Sequence, residues 1–525
     1  MEVNQELSPP STPRPPHTIF TGFQKTYIIF MASGAGFFSS VSAPIYFPAL
    51  NVLAEDLGVT TALINLTLTS YMIVQGISPM FLGTFADNYG RRPAYIICFI
   101  IYIAANVGLA LQSNFVALLL LRCVQSAGCS STISLAAAVV ADVSTKEDRG
   151  SYMGLVMAGS YVGTAVGPVF GGLLTQYLGW KSIFWFLTIT SAVFFLALLL
   201  FFPETARNVV GNGSSPPQKW NRPLMHYLWF RTTVSQRPVT SDSSLDQAIP
   251  LSSFDQLPKK DITSQKPSYI KSVASIFQKR SIVLLIATGV MFASYMLVNS
   301  AIPSTFDKVY ALNNLQVGLC YLPIGLGAIL SVLGTGKLLD SYYRHLKSEA
   351  ANGLHNPESP KQKSVPIEKA RCTIGAPLGV AGALAVLAFG WVLKFEVHLA
   401  APVTFLFFIS LALNGAFNCS ATLLVDFHPS SPATATAMNN LFRGLMSAGA
   451  TAFLDPMLNG MGRGWGFTLV AVVVMGTAVM LGLLGWVKRS EEKDPDQDDD
   501  ESVDCVVTVQ PSKKSDGSSD ATRGC

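Results

Sequence analysis

The chain has 525 residues, 50% hydrophobic and only 13% charged, with a net charge of +4. A soluble domain usually carries about 25% charged residues, so the composition excludes a disordered chain, a charge-rich coiled coil and most soluble enzymes, and makes lipid the expected solvent. With so small a net charge and no basic patch interleaved with aromatics, nucleic acid is not an expected partner.

Residues 1–26 form the first segment, read as a disordered cytosolic N-terminus. Residues 1–25 hold five prolines and no apolar core of a signal peptide. The first apolar run, residues 27–49, is free of charge. A helix needs about 20 apolar residues to cross a ~30 Å hydrocarbon core, so this run is predicted to span. Further spans are predicted at 63–85, 94–112, 115–141, 152–177 and 182–202, then at 281–303, 315–338, 372–393, 399–424, 433–458 and 465–486. All twelve should be helical, because lipid satisfies no backbone polar group. They make an N-terminal six-helix half, 27–203, and a C-terminal one, 281–487. A Ser/Pro-rich linker, 204–280, joins them, and an acidic tail, 488–525, follows. Both of these are read as disordered and solvated.

Loop charge sets direction. Eleven Lys and Arg lie in 204–280 and six in 340–371, while the alternate loops carry none or one. Positive charge is retained on the cytosolic side, so both termini are expected in the cytosol. The plasma membrane is the expected location, with the vacuolar membrane as the alternative.

The halves repeat. Gly83, Asp87 and Arg91 after span 2 are matched by Gly336, Asp340 and Arg344 after span 8. Asp142 ends span 4 and Asp426 ends span 10. Gly-Trp pairs precede spans 6 and 12. Duplicated six-helix units with a site between them are one transporter plan.

Charges inside the spans are few. A charge near the bilayer centre costs about 2.5–3.5 kcal/mol on insertion scales. Arg122 should therefore face the protein interior, with Gln125 on the same face. Arg443 and Asp455 share span 11, ~18 Å apart along a helix, too far to pair. Asp455 is the best-placed acid for reversible protonation, or else it marks the outer interface. Arg443 is expected either to serve the gate with Asp426 or to stabilise it. Gly159, Gly163, Gly167 and Gly171 recur every fourth residue of span 5, a stripe that lets helices approach closely, with a kink at Pro168. Pairs four apart share a face: Tyr71 with Gln75, Tyr295 with Asn299, and Asn414 with Asn418. As a set, with Phe37, Phe38 and Tyr46, they read as an apolar cavity with a few amides. Singly, each reads as an interhelical hydrogen bond. The six histidines and eight cysteines show no metal spacing, and no nucleophile–base pair stands out. No metal, cofactor or enzymatic reaction is expected.

These motifs resemble the major facilitator superfamily. Gly83–Arg92 is similar to its first-loop signature GxxxDxxGRR, including Gly90 and Arg92. Arg122–Gly128 is similar to RxxQGxG, with Ser126 in place of the usual glycine. Gly159–Gly172 is similar to the antiporter motif GxxxGPxxGG. Twelve spans point to the drug:proton antiporter family, and Leu424–Arg443 resembles its fungal quinidine-resistance and dityrosine exporter subgroup. The resemblance implies the major facilitator fold and a gate in which Asp87 locks against the start of span 11 and Arg91 pairs with Asp142. It implies proton coupling through Arg122 and Gln125, a leak-sealing stripe through Gly172, and a cavity lined by spans 1, 4, 7 and 10. Many such exporters carry an acid in span 1; residues 27–49 have none. The proton carrier is therefore left open, with facilitated diffusion as the alternative. The expected protein is a monomeric, proton-coupled exporter of drugs or secondary metabolites. An organic-acid exporter and a non-transporting nutrient sensor are the alternatives.

Overall fold

The computed structural model describes residues 18–144, 149–212, 221, 223, 278–352, 367–428 and 432–491, with side chains left out at some helix ends, residues 340 and 344 among them. Every regular element among the described residues is helical. In chain order they are α1 Gly22–Ser42, α2 Leu50–Asp56, α3 Thr61–Tyr89, α4 Arg91–Leu111, α5 Phe115–Cys129, α6 Ser131–Val143, α7 Arg149–Leu178, α8 Lys181–Phe201, α9 Arg207–Val210, α10 Lys279–Tyr310, α11 Asn314–Leu319, α12 Leu322–Asn352, α13 Ile367–Lys394, α14 Ala400–Phe427 and α15 Pro432–Glu491. A 3₁₀ turn, Pro44–Ala49, lies between α1 and α2.

Local chemistry sets these boundaries. Thr21 and Gln24 close a capping box at the start of α1, satisfying backbone donors that the first turn leaves free. Pro44 and Pro48 then break the α-ladder. The run 27–49 is therefore a helix followed by a tighter turn rather than one uninterrupted span. Gly90, at φ +115°, ends α3 and starts α4, a conformation that side chains disfavour.

Ten helical segments among the described residues are long and apolar enough to cross a membrane. One of them, Thr434–Leu484, is 51 residues long, and non-helical backbone at Gly462 divides it into two passes. The helix α3 is 29 residues long but too polar in composition for that set; two of its polar side chains, Asn65 and Thr69, bond to the other half. These two features account for the difference from the twelve expected spans.

The described residues up to Gly485 belong to one compact unit. Its core is built unevenly. On the side holding the 50–60 loop, outer in the expected orientation, one cluster mixes both halves: Tyr46, Phe47 and Leu53 pack with Ile302, Phe306 and Tyr321. On the inner side the cores are separate. One cluster contains only N-half residues, such as Tyr95, Phe99 and Val140. The other contains only C-half residues, such as Leu284, Leu423 and Met438.

Candidate functional site

The outer closure is made by backbone as much as by side chains. Glycines let α7 lie between α1 and the other half. A methyl at Gly163 would sit 2.9 Å from the Phe37 carbonyl oxygen; at Gly171 it would collide with the Ile45 carbonyl, and at Gly172 with that of Asn314. The Pro168 carbonyl approaches Gly318 in the same way, 2.5 Å from where its methyl would be. Phe47 stacks on Tyr321 with centroids 5.8 Å apart. Asn51 Nδ2 donates to Asp307 Oδ2 at 3.2 Å, and Asn65 Nδ2 to Asp455 Oδ2 at 2.8 Å. Asp455 therefore bonds across the two halves, seven residues before the break in α15 at Gly462.

At the inner end of the N-half, Arg91 bonds Asp142 at 3.0 Å through Nε and Asp87 through Nη1. The Asp87 side chain is 60% exposed. It makes no hydrogen bond or ion pair to α15 among the described residues. Its carboxylate is engaged by Arg91, its backbone oxygen accepts from Asn208, and the side chains at the very start of α15, against which the lock is expected, lie outside the described residues. Glu204 completes the junction. Its carboxylate accepts from the backbone N–H of Arg91 at 2.8 Å, from that of Arg92 at 3.1 Å and from Asn221 at 2.9 Å. A carboxylate at a helix N-terminus is stabilised by the free N–H groups there, and a side chain at Gly90 would displace it. Arg92 turns inward to the Leu199 carbonyl at 2.8 Å. Gly83 meets nothing.

The C-half has a counterpart. Arg371, at the start of α13, pairs with Asp426 at 2.8 Å. Asp426 is thus bound to Arg371, and Arg443 makes no ion pair with it among the described residues. The side chains of Asp340 and Arg344 lie outside the described residues. Nearby, His428 Nε2 and Ser281 Oγ are 2.8 Å apart, and burial holds this imidazole below its ordinary pKa.

Two arginines occupy the interior. Arg122 is fully buried. Its guanidinium is clamped between the rings of Tyr46 and Tyr71, 4.3 Å from each. Nη1 donates to Gln125 Oε1 at 2.6 Å and to the Ser42 carbonyl at 3.3 Å. Gln125 donates in turn to Asn106 Oδ1 at 2.7 Å. Nε and Nη2 of Arg122 have no hydrogen-bond partner.

Arg443 is different. It lies 4.4 Å from the Phe292 centroid and 5.5 Å from that of Phe417, is only partly covered, and makes no ion pair or side-chain hydrogen bond among the described residues. Tyr161, on α7, lies close to Arg443 and to Asn418. Asn418 Nδ2 is buried without an acceptor.

The other predicted cavity residues divide. Asn299 and Asn414 spend their amide donors on their own helices, at 2.7 Å to Tyr295 O and 2.9 Å to Ser410 O. Tyr71 is covered, with its hydroxyl on Cys129 Sγ, and Gln75 is half-buried. Tyr295 is buried beside Phe292. Tyr161, Phe292, Phe417, Glu204 and Arg371 were not singled out in the sequence. Tyr161 sits within the glycine stripe and Glu204 directly follows span 6. Those positions were the available signals.

Two six-helix halves, fused on one side and separate on the other around buried polar groups, define a membrane transporter. The chain belongs to the Major Facilitator Superfamily, whose family description matches residues 32–451. It is 38% identical over 489 residues to MFS-type transporter phiD from a fungal species (strain ATCC 74256), covering 91% of this chain and 71% of that one. It is 34% identical to citrate exporter 1 of Aspergillus niger, covering 91% and 88%. Among solved structures, a D-xylose–proton symporter shares the fold with a TM-score of 0.61 at 12% identity, covering 87% of this chain and 97% of that one.

Proposed function

We propose that the chain is a proton-coupled exporter of small amphipathic organic molecules, secondary metabolites above all, working by alternating access at the plasma membrane with both termini in the cytosol. The observation that carries this reading is the uneven core, with a single shared cluster outside and two separate ones inside. Halves joined at one side only can rock about that side, and the partly covered Arg443 is available to a solute that enters between them. Coupling falls to Arg122. It is a buried cation with two unpartnered N–H groups, held by aromatic faces in a medium where its charge acts strongly on any proton-carrying group that comes near. Gln125 and Asn106 fix its direction. The Arg91–Asp142 and Arg371–Asp426 pairs act as inner-side latches that form and break as the halves move.

The test is solute flux in sealed vesicles containing the purified chain under an imposed acid step. Wild-type protein should move amphipathic organic solutes against their gradient and dissipate the pH difference. Arg122→Ala should reach the membrane and lose gradient-driven flux. Absence of flux for every solute would overturn the exporter reading, and unchanged flux in Arg122→Ala would remove that residue from coupling. The relatives named as a fungal MFS-type transporter and a citrate exporter support export of an organic metabolite.

A further inference from the structure

Arg443, Asn418 and Tyr161 lie close together where the halves meet. Arg443 on α15 has no carboxylate partner among the described residues and lies against two aromatic faces. Asn418 on α14 has its Nδ2 buried without an acceptor in good hydrogen-bond geometry, although the Tyr161 oxygen is near it. The Tyr161 hydroxyl comes from α7 of the opposite half. The amides of Asn414 and Asn299, by contrast, satisfy their donors on the preceding turn. A cation kept inside a membrane span without an anion is costly, and an unsatisfied buried amide adds to that cost.

We infer that this cluster anchors a carboxylate on the transported molecule. The guanidinium presents a planar fork that matches a carboxylate. Asn418 and Tyr161 supply further donors, and Phe292 and Phe417 give an apolar surface for the organic body behind the charge. No carboxylate of the protein competes at the site among the described residues. Arg122, by contrast, is fully covered by Tyr46 and Tyr71 and cannot be reached by a solute in this conformation. Because Tyr161 belongs to one half and the other residues to the second, a bound carboxylate bridges the halves. This inference rests on the exporter reading and names its substrate class.

The test is binding to the purified full-length chain in detergent at pH 7, with matched probes: 4-phenylbutyrate against 4-phenylbutyramide, then inorganic phosphate and a short-chain phosphatidylglycerol as competitors. A charge-assisted anchor should favour the acid over the amide by about tenfold or more. Arg443→Gln should abolish that preference while amide affinity stays within about twofold. Arg443→Lys should retain part of it, since a point charge replaces the fork. Asn418→Leu, which keeps the charge, should weaken acid binding selectively, and it serves if Arg443→Gln fails to fold. Equal affinity for acid and amide in the wild type, a preserved preference in Arg443→Gln, or displacement by phosphate or the phospholipid as effective as by a second carboxylate would each overturn the anchor. Binding needs no flux. Acid preference without vesicle flux would therefore uphold the anchor while sinking the exporter reading, and flux without acid preference would do the reverse.

Discussion

Arg122 and Arg443 meet the same problem, a guanidinium within the membrane, in two ways. Both lie on a pair of aromatic rings, Tyr46 and Tyr71 for the first and Phe292 and Phe417 for the second. Around Arg122 the protein adds Gln125, Asn106 and the Ser42 carbonyl, and covers the group completely. Around Arg443 it adds no acceptor among the described residues and leaves the group partly open. A closed cation suits a fixed part of the machinery. An open one suits a group whose partner arrives and leaves. The same contrast runs along the bundle axis, where the outer core is shared and the inner cores are not.

The largest effects should separate the two arginines. Arg122→Leu should abolish gradient-driven flux and also destabilise the N-half by about 1–3 kcal/mol, because Gln125 loses its partner in a dry interior. Arg443→Leu should leave the melting temperature near wild type while removing acid-selective transport. Equal melting losses in both variants would break the comparison.

Next come the contacts at the shared core. Gly171→Val drives a side chain into the Ile45 carbonyl, and overpacking of this kind costs about 1–3 kcal/mol. The same change at Gly154, which meets nothing, should be nearly silent. Thermal unfolding and flux of the two variants, side by side, measure how much the outer closure matters.

The inner latches should rank below that. Side-chain exposure is 12% and 10% for Arg91 and Asp142 but 19% and 34% for Arg371 and Asp426. Better-screened pairs are weaker. Double-mutant cycles should therefore give a coupling of about 1.5–3 kcal/mol for the N-half pair and about 1 kcal/mol or less for the C-half pair. The reverse order would show that the latches are not graded by exposure.

The smallest effect is a pH response of the C-half alone. Burial lowers the pKa of His428 below its ordinary 6.5, so the folded chain resists the proton that the unfolded chain accepts. The contribution of the His428–Ser281 contact is fully present above about 6.5 and is lost as pH falls through the depressed folded value. His428→Gln should flatten the melting temperature between pH 8 and pH 5; an unchanged slope would exclude the contact as its source.

Much of the fold was legible because lipid imposes simple rules. Apolar length marked the spans, and a lone Arg122 in an apolar run had to turn inward. Glycine every fourth residue marked a helix packed closely on its neighbours. The pairing of residues far apart in the chain was less legible. The partner of Asp426, Arg371, lies at the end of an ordinary basic loop, and nothing local distinguishes it. Tyr161 was hidden among the glycines of α7. Gly159 and Gly163 carry the contact of α7 with α1, and Tyr161 lies between them in the sequence.

The sequence by itself determined the all-helical membrane bundle, its doubled plan and which residues are too costly to face lipid, since these follow from transfer free energies summed along a single chain. The tertiary structure alone decided which buried donors are satisfied. Asn414 and Asn418 are one helical turn apart and chemically identical, yet one bonds its own backbone and the other does not. That difference is one of side-chain conformation, set by the packing around each amide, and no periodicity encodes it.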